Sequence, residues 1–109
     1  MNPLFNRSRF SYQTHKDEHE FVFYLSGILD QNGGIELRDE LTQKINEYND
    51  VVFNMGEIRI VSSGGMSALV DIARFLEQNK IRFRLTQPSD MVLRTLKVVH
   101  VDRIIEIQV

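Results

Sequence analysis

The sequence predicts one α/β domain built on a mixed, mostly parallel sheet with helices packed on it, and three observations carry that reading. A chain of 109 residues suits a single domain and is too short for two. Short β-branched and aromatic runs alternate with segments whose apolar residues recur at helical spacing. Strands that alternate with helices return in parallel through right-handed crossovers, which gives the order β-β-α-β-α-β-α with a terminal extended segment.

Each element has its own signal. Phe10 to Gln13 and Glu20 to Leu25 are aromatic and β-branched, and the polar run Thr14 to His19 between them reads as the loop of a hairpin. Ser26 and Gly27 interrupt, then Ile28 to Asp30 follow. Gln31 to Gly34 reads as a breaker, after which Leu37, Leu41, Ile45 and Tyr48 recur at helical spacing. Asn49 and Asp50 supply a turn, and Val51 to Met55 is apolar almost without interruption, as in a central strand covered on both faces. Beyond Gly56 to Val61, a second helix is expected just after the serines of Ser62-Ser63-Gly64-Gly65, with Met66, Leu69, Val70, Ala73 and Leu76 on its apolar side. Ile81, Phe83 and Leu85 alternate with Lys80, Arg82 and Arg84, a half-buried strand with a basic, solvated outer face. Pro88 and Ser89 start a third helix, with Val92, Leu93 and Leu96 inward, and Ile104 to Val109 closes the chain as a short strand.

Composition narrows the function classes. The 13 basic and 15 acidic residues leave a net charge of −2, so no overall basic field exists to hold nucleic acid. Cysteine is absent, which removes thiolate metal sites and cysteine nucleophiles and fits a reducing, cytoplasmic setting. No apolar run approaches the roughly 20 residues that would cross a bilayer, so direct membrane insertion is not expected. His15, His19 and His100 lack metal-ligand spacing and read as structural or solvated, and no metal or cofactor is expected. Ser63-Gly64-Gly65 lacks the leading glycine of a nucleophile elbow, no lysine follows Gly65 as a phosphate-binding loop requires, and no nucleophile, base and orienter can be named together. An enzyme is therefore not expected.

What remains is the strand-to-helix junction from Ser62 to Ser67. Unpaired first-turn N–H groups give such a junction a positive local dipole. The serines offer an N-cap and the glycines a tight turn, while two adjacent hydroxyls also offer one to a kinase. Loops that follow parallel strands gather at one end of the sheet, which brings Asp30 into the same neighbourhood.

The residues in order resemble the STAS domain of bacterial anti-sigma factor antagonists over about residues 10–109. Leu25-Ser26-Gly27-Ile28-Leu29-Asp30 is similar to that family's L-x-G-x-L-D segment, and Phe53-Asn54-Met55 stands where the family has L-D-L. Ser62-Ser63-Gly64-Gly65-Met66-Ser67-Ala68-Leu69 resembles D-S-x-G-L-x-A-L, and Val92 through Ile105 resembles the closing L-x-x-x-G-L-D-R-I-F pattern. The resemblance implies a STAS-type sandwich over 10–109 behind a flexible arm of residues 1–9. It implies a partner-switching module that binds an anti-sigma factor with serine kinase activity, lets go when Ser63 is phosphorylated, and is reset by a serine phosphatase. A shifted alignment would make Ser62 the acceptor. Partner contacts are expected at Asp30, Ser62, Ser63, Gly64, Gly65, Met66 and Ser67, and a homodimer stays open. The sequence departs from the pattern at Ser62 and Asn54, where the family has aspartates, and at His100, where it has glycine. Loss of two acids from one neighbourhood, with Arg59 nearby in sequence, points to the alternative of a non-switching STAS adaptor or scaffold in a larger signalling complex.

Overall fold

The computed structural model describes residues 9–109. Its elements run β1 (Ser11–Lys16), β2 (Glu20–Leu29), α1 (Gln31–Gln43), β3 (Asp50–Val61), α2 (Ser63–Gln78), β4 (Arg82–Thr86), α3 (Asp90–Val98), a 3-10 turn (Val101–Arg103) and β5 (Glu106–Gln108). The expected arm, residues 1–9, lies outside the described residues except for Arg9, whose carbonyl rests against Gly27.

The sheet has the order β1-β2-β3-β4-β5, with β1 antiparallel to β2 and every later pair parallel. Because each crossover from β2 onward steps in the same direction and crossovers are right-handed, α1, α2 and α3 all fall on one face of the sheet. One core joins them: Phe21, Phe23, Leu25, Val51, Phe53 and Leu85 from the strands meet Leu37, Leu41, Leu69, Ile72, Leu76, Val92 and Leu96 from the helices. The rings of Phe21, Phe23, Phe53 and Phe83 form a chain across the sheet with centroids 4.5 to 5.2 Å apart. Such pairs add to plain area burial when tilted or edge-on, as these are.

The structure corrects several sequence expectations. Gln31 to Gly34 does not break the chain but forms the first turn of α1, because the Asp30 carboxylate accepts the Gly33 N–H at 2.8 Å and caps the helix. At the other end α1 stops at Gln43, and Tyr48 turns back so that its hydroxyl donates to the Leu41 carbonyl at 2.7 Å. Thr14 to Lys16, expected as loop, pair with Phe21 to Phe23, so His15 sits on β1 and the turn spans only residues 17–19. Ser26 and Gly27 lie inside β2, and β3 continues past Met55 to Val61. That extension holds because β3 is bulged twice against β2, opposite Tyr24 to Ser26 and opposite Gly27 to Ile28, and so stays on its partner while twisting.

The apolar run at Val51 to Met55 is covered by helices on one side only. Val52 faces away from them and is shielded by its register neighbours Val22 and Arg84. Arg84 in turn is not a solvated outer residue: only 15% of its side chain is exposed, and its guanidinium donates to Glu20 at 2.7 Å and lies 3.4 Å from Asp50.

Candidate functional site

The C-terminal ends of β2 and β3 lie side by side, with Leu29 paired to Val61, and each strand hands directly to a helix. Both helices are capped in the same way. Asp30 accepts from Gly33, and the Ser62 hydroxyl accepts the Gly65 N–H at 3.1 Å, so two positive helix ends open together on one edge of the molecule. The junctions are tied to each other, since the Ser62 N–H donates to the Leu29 carbonyl at 2.9 Å.

Gly65 makes that contact fit. A Cβ there would stand 2.2 Å from the Leu29 carbonyl oxygen, so no side chain is tolerated without moving the strand end. Of the two adjacent glycines, Gly65 is the one that serves the close approach. Ser62 is half-buried with its oxygen engaged by Gly65, whereas Ser63, the first residue of α2, is exposed. Gly64 and Ser67 are also on this surface, and Met66 is partly buried against the core. Asp30 is thus beside the serines as expected from the chain's topology.

Asn54 is elsewhere. It pairs with Tyr24 and Thr86 in mid-sheet, about 16 Å along the strands from the Leu29–Val61 end at the usual rise per residue. Its side-chain oxygen accepts the Gly56 N–H at 2.9 Å and shapes the first bulge. The two missing acids therefore do not share one neighbourhood, contrary to the sequence reading. At position 62, moreover, serine fills the capping role that aspartate would have, removing a charge but not the helix start.

Beside Ser63 runs a trough between α1 and α2, of about 610 Å³, which the sequence reading did not find. The helices start together and run parallel: Gly64 abuts Gln31, and Gly34 meets Ala68 so closely that a Cβ on Gly34 would stand 2.2 Å from the Ala68 Cβ. Ile35 forms one wall and is half exposed, and the buried Ile72 contributes to the floor. Arg38 lies over the Phe75 ring at 4.7 Å near the far end, while Asp39 and Asp71 stand on opposite helices. No spacing pattern marks this trough, because it depends on how closely the two helices pack. Among the described residues no group of three His, Asp or Glu side chains converges on a metal position, and no helix is long and apolar enough to cross a membrane.

Residues 11–109 match the family model of the STAS domain. The fold is similar to the unphosphorylated anti-sigma factor antagonist SpoIIAA, with 19% identity, a TM-score of 0.75, and 89% of this chain and 87% of that chain covered. It is also similar to the phosphorylated form of the Bacillus cell fate determinant SpoIIAA, at 18% identity and TM-score 0.70 over 89% and 90% of the two chains. A variant of RsbS from Moorella thermoacetica superposes with 23% identity and TM-score 0.73, covering 88% and 84%. No curated protein matches the chain in sequence.

Proposed function

Because the chain belongs to the STAS domain family, we propose that it is a non-enzymatic binding module of the anti-sigma factor antagonist kind, acting in the cytoplasm and switched by phosphorylation of Ser63. In this reading the unmodified domain holds an anti-sigma factor with serine kinase activity, phosphate on Ser63 releases it, and a serine phosphatase restores binding. The observation that carries the reading is the division of labour between the two serines. Ser62 is spent on the helix cap, and Ser63 presents an exposed hydroxyl at the first position of α2. That SpoIIAA has been solved both with and without phosphate supports it.

The physical chemistry suits a switch. A phosphate adds about −1.5 to −2 charges, which the N-terminal end of α2 accommodates. A partner packed over Ser63 would have to make room for the dianion and desolvate it, and each loss of about 1.4 kcal/mol weakens binding tenfold. The contact surface in this reading spans Asp30, Ser62 to Gly65, Met66 and Ser67.

Mass spectrometry of the protein from its own host tests the proposal on the tryptic peptide Ile60 to Arg74, which holds Ser62, Ser63 and Ser67. We expect a single phosphate on Ser63 that disappears in Ser63→Ala and persists in Ser62→Ala. A copurifying partner with no phosphate on any of the three serines under all growth conditions would replace the switch with a non-switching adaptor, the reading favoured by the missing acid at position 62.

A further inference from the structure

The trough between α1 and α2 has features that folding alone does not account for. Ile35 is 53% exposed on its wall, although residues three and four positions on from it, Arg38 and Asp39, are polar and would suit an ordinary solvated face. The floor is backbone and small side chains, Gly34 against Ala68, with Ile72 beneath, so space is left where larger residues would fill it. The charges on its rim are unequal in availability. Arg38 is stacked on Phe75, while Asp39 and Asp71 make no ion pair among the described residues.

We propose that this trough takes an aliphatic side chain of the partner protein, and that a lysine or arginine on the same partner segment pairs with Asp71 and Asp39. The proposal rests on the binding-module reading above and states the chemistry of the partner's contact. Charge complementarity selects the occupant. An acidic segment would face two unpaired carboxylates, and a wholly polar one would leave Ile35 in water. Such a segment would lie along α2 from Ser67 to Asp71, one to two helical turns beyond Ser63.

This arrangement also constrains how a phosphate could act. Added negative charge at the mouth of the trough attracts a cationic segment at long range, so charge repulsion against that segment would not be the means of release. The phosphate must act by its bulk at the open end, next to Gly64 and Gln31, and by its own desolvation.

The test is an NMR titration of the full-length, ¹⁵N-labelled chain with an acetylated and amidated hexapeptide of sequence ALAARA, and with its ALAAEA and ASAARA counterparts. We expect ALAARA to shift the amides of Ile35, Asp39, Ser67 and Asp71, and each counterpart to bind about fivefold more weakly, the worth of one exposed ion pair or one partly buried side chain. The Asp39→Asn, Asp71→Asn double variant should lose the preference and bind ALAARA and ALAAEA alike, and Ile35→Ser should bring ALAARA down to the level of ASAARA. Both variants change exposed positions, so the fold is retained. Absence of shifts at these amides up to the solubility limit, or equal binding of the three peptides, would overturn the proposal. Its failure is separable from failure of the switch: phosphate on Ser63 without peptide binding removes the trough alone, and peptide binding without phosphate removes the switch alone.

Discussion

Three single residues show how much of the fold depends on one or two atoms. Gly65→Ala places a methyl 2.2 Å from the Leu29 carbonyl, and we expect a loss of about 1–3 kcal/mol in urea unfolding, the range for overpacking a tight site. Ser62→Ala should cost about 1 kcal/mol through loss of the cap, whereas Ser62→Asp should be close to neutral, because aspartate caps as well and suits the helix dipole. That pair of variants separates the helix start from the charge that the family pattern carries at this position. His100 stands where the pattern has glycine and adopts φ 62, the left-handed region that side chains disfavour. His100→Gly should therefore stabilise the fold, by up to about 1 kcal/mol in the same assay, with the gain trimmed by the greater freedom of glycine in the unfolded chain.

At the scale of elements, the interesting departures from periodicity are α1 and β3. Gly33 and Gly34 look like breakers in sequence, yet one is the cap's donor, against which the Phe10 ring packs, and the other is the point of closest approach between α1 and α2. Neither role can be read from spacing, since each depends on what the first helical turn meets. In β3 the polar residues Glu57 and Arg59 mask a strand that persists by bulging. On the open face of the sheet, β4 is tied to its neighbours by charge. Arg84 reaches Glu20 on β2 and Asp50 on β3, and Arg82 meets Glu106 on β5 at 2.8 Å. Arg84→Ala would leave Glu20 and Asp50 facing each other across the register, with only the more exposed Arg82, 4.0 Å from Asp50, as a nearby cation. We expect a loss of about 1–3 kcal/mol, part of it recovered at high salt, where the repulsion is screened.

At the scale of the whole molecule, two tyrosines make stability depend on alkaline pH. Tyr48, pushed up to about 12 by burial, and Tyr12, pushed up to about 12 by burial and by its hydrogen bond to Glu40, both favour the neutral phenol in the folded chain. The unfolded chain gives up these protons near pH 10, before the folded one does. The stability they contribute is thus complete below pH 10 and is lost as pH rises from about 10 to 12. Denaturation curves across that window should show the decline, and Tyr48→Phe should reduce it to the share of Tyr12 while lowering stability at neutral pH through loss of the bond to Leu41. By itself the sequence determined the order of elements, the mostly parallel sheet, the family resemblance and the junction at Ser62 to Ser67, because periodicity, capping chemistry and short motifs are local. Only the tertiary structure decided that Ser62 is the engaged hydroxyl and Ser63 the exposed one, that Asn54 lies far along the sheet from them, and that a trough opens between α1 and α2. These depend on which strand end meets which helix and how closely two helices pack, and a carbonyl oxygen or a missing Cβ brought in from another part of the chain leaves no periodic trace in the sequence.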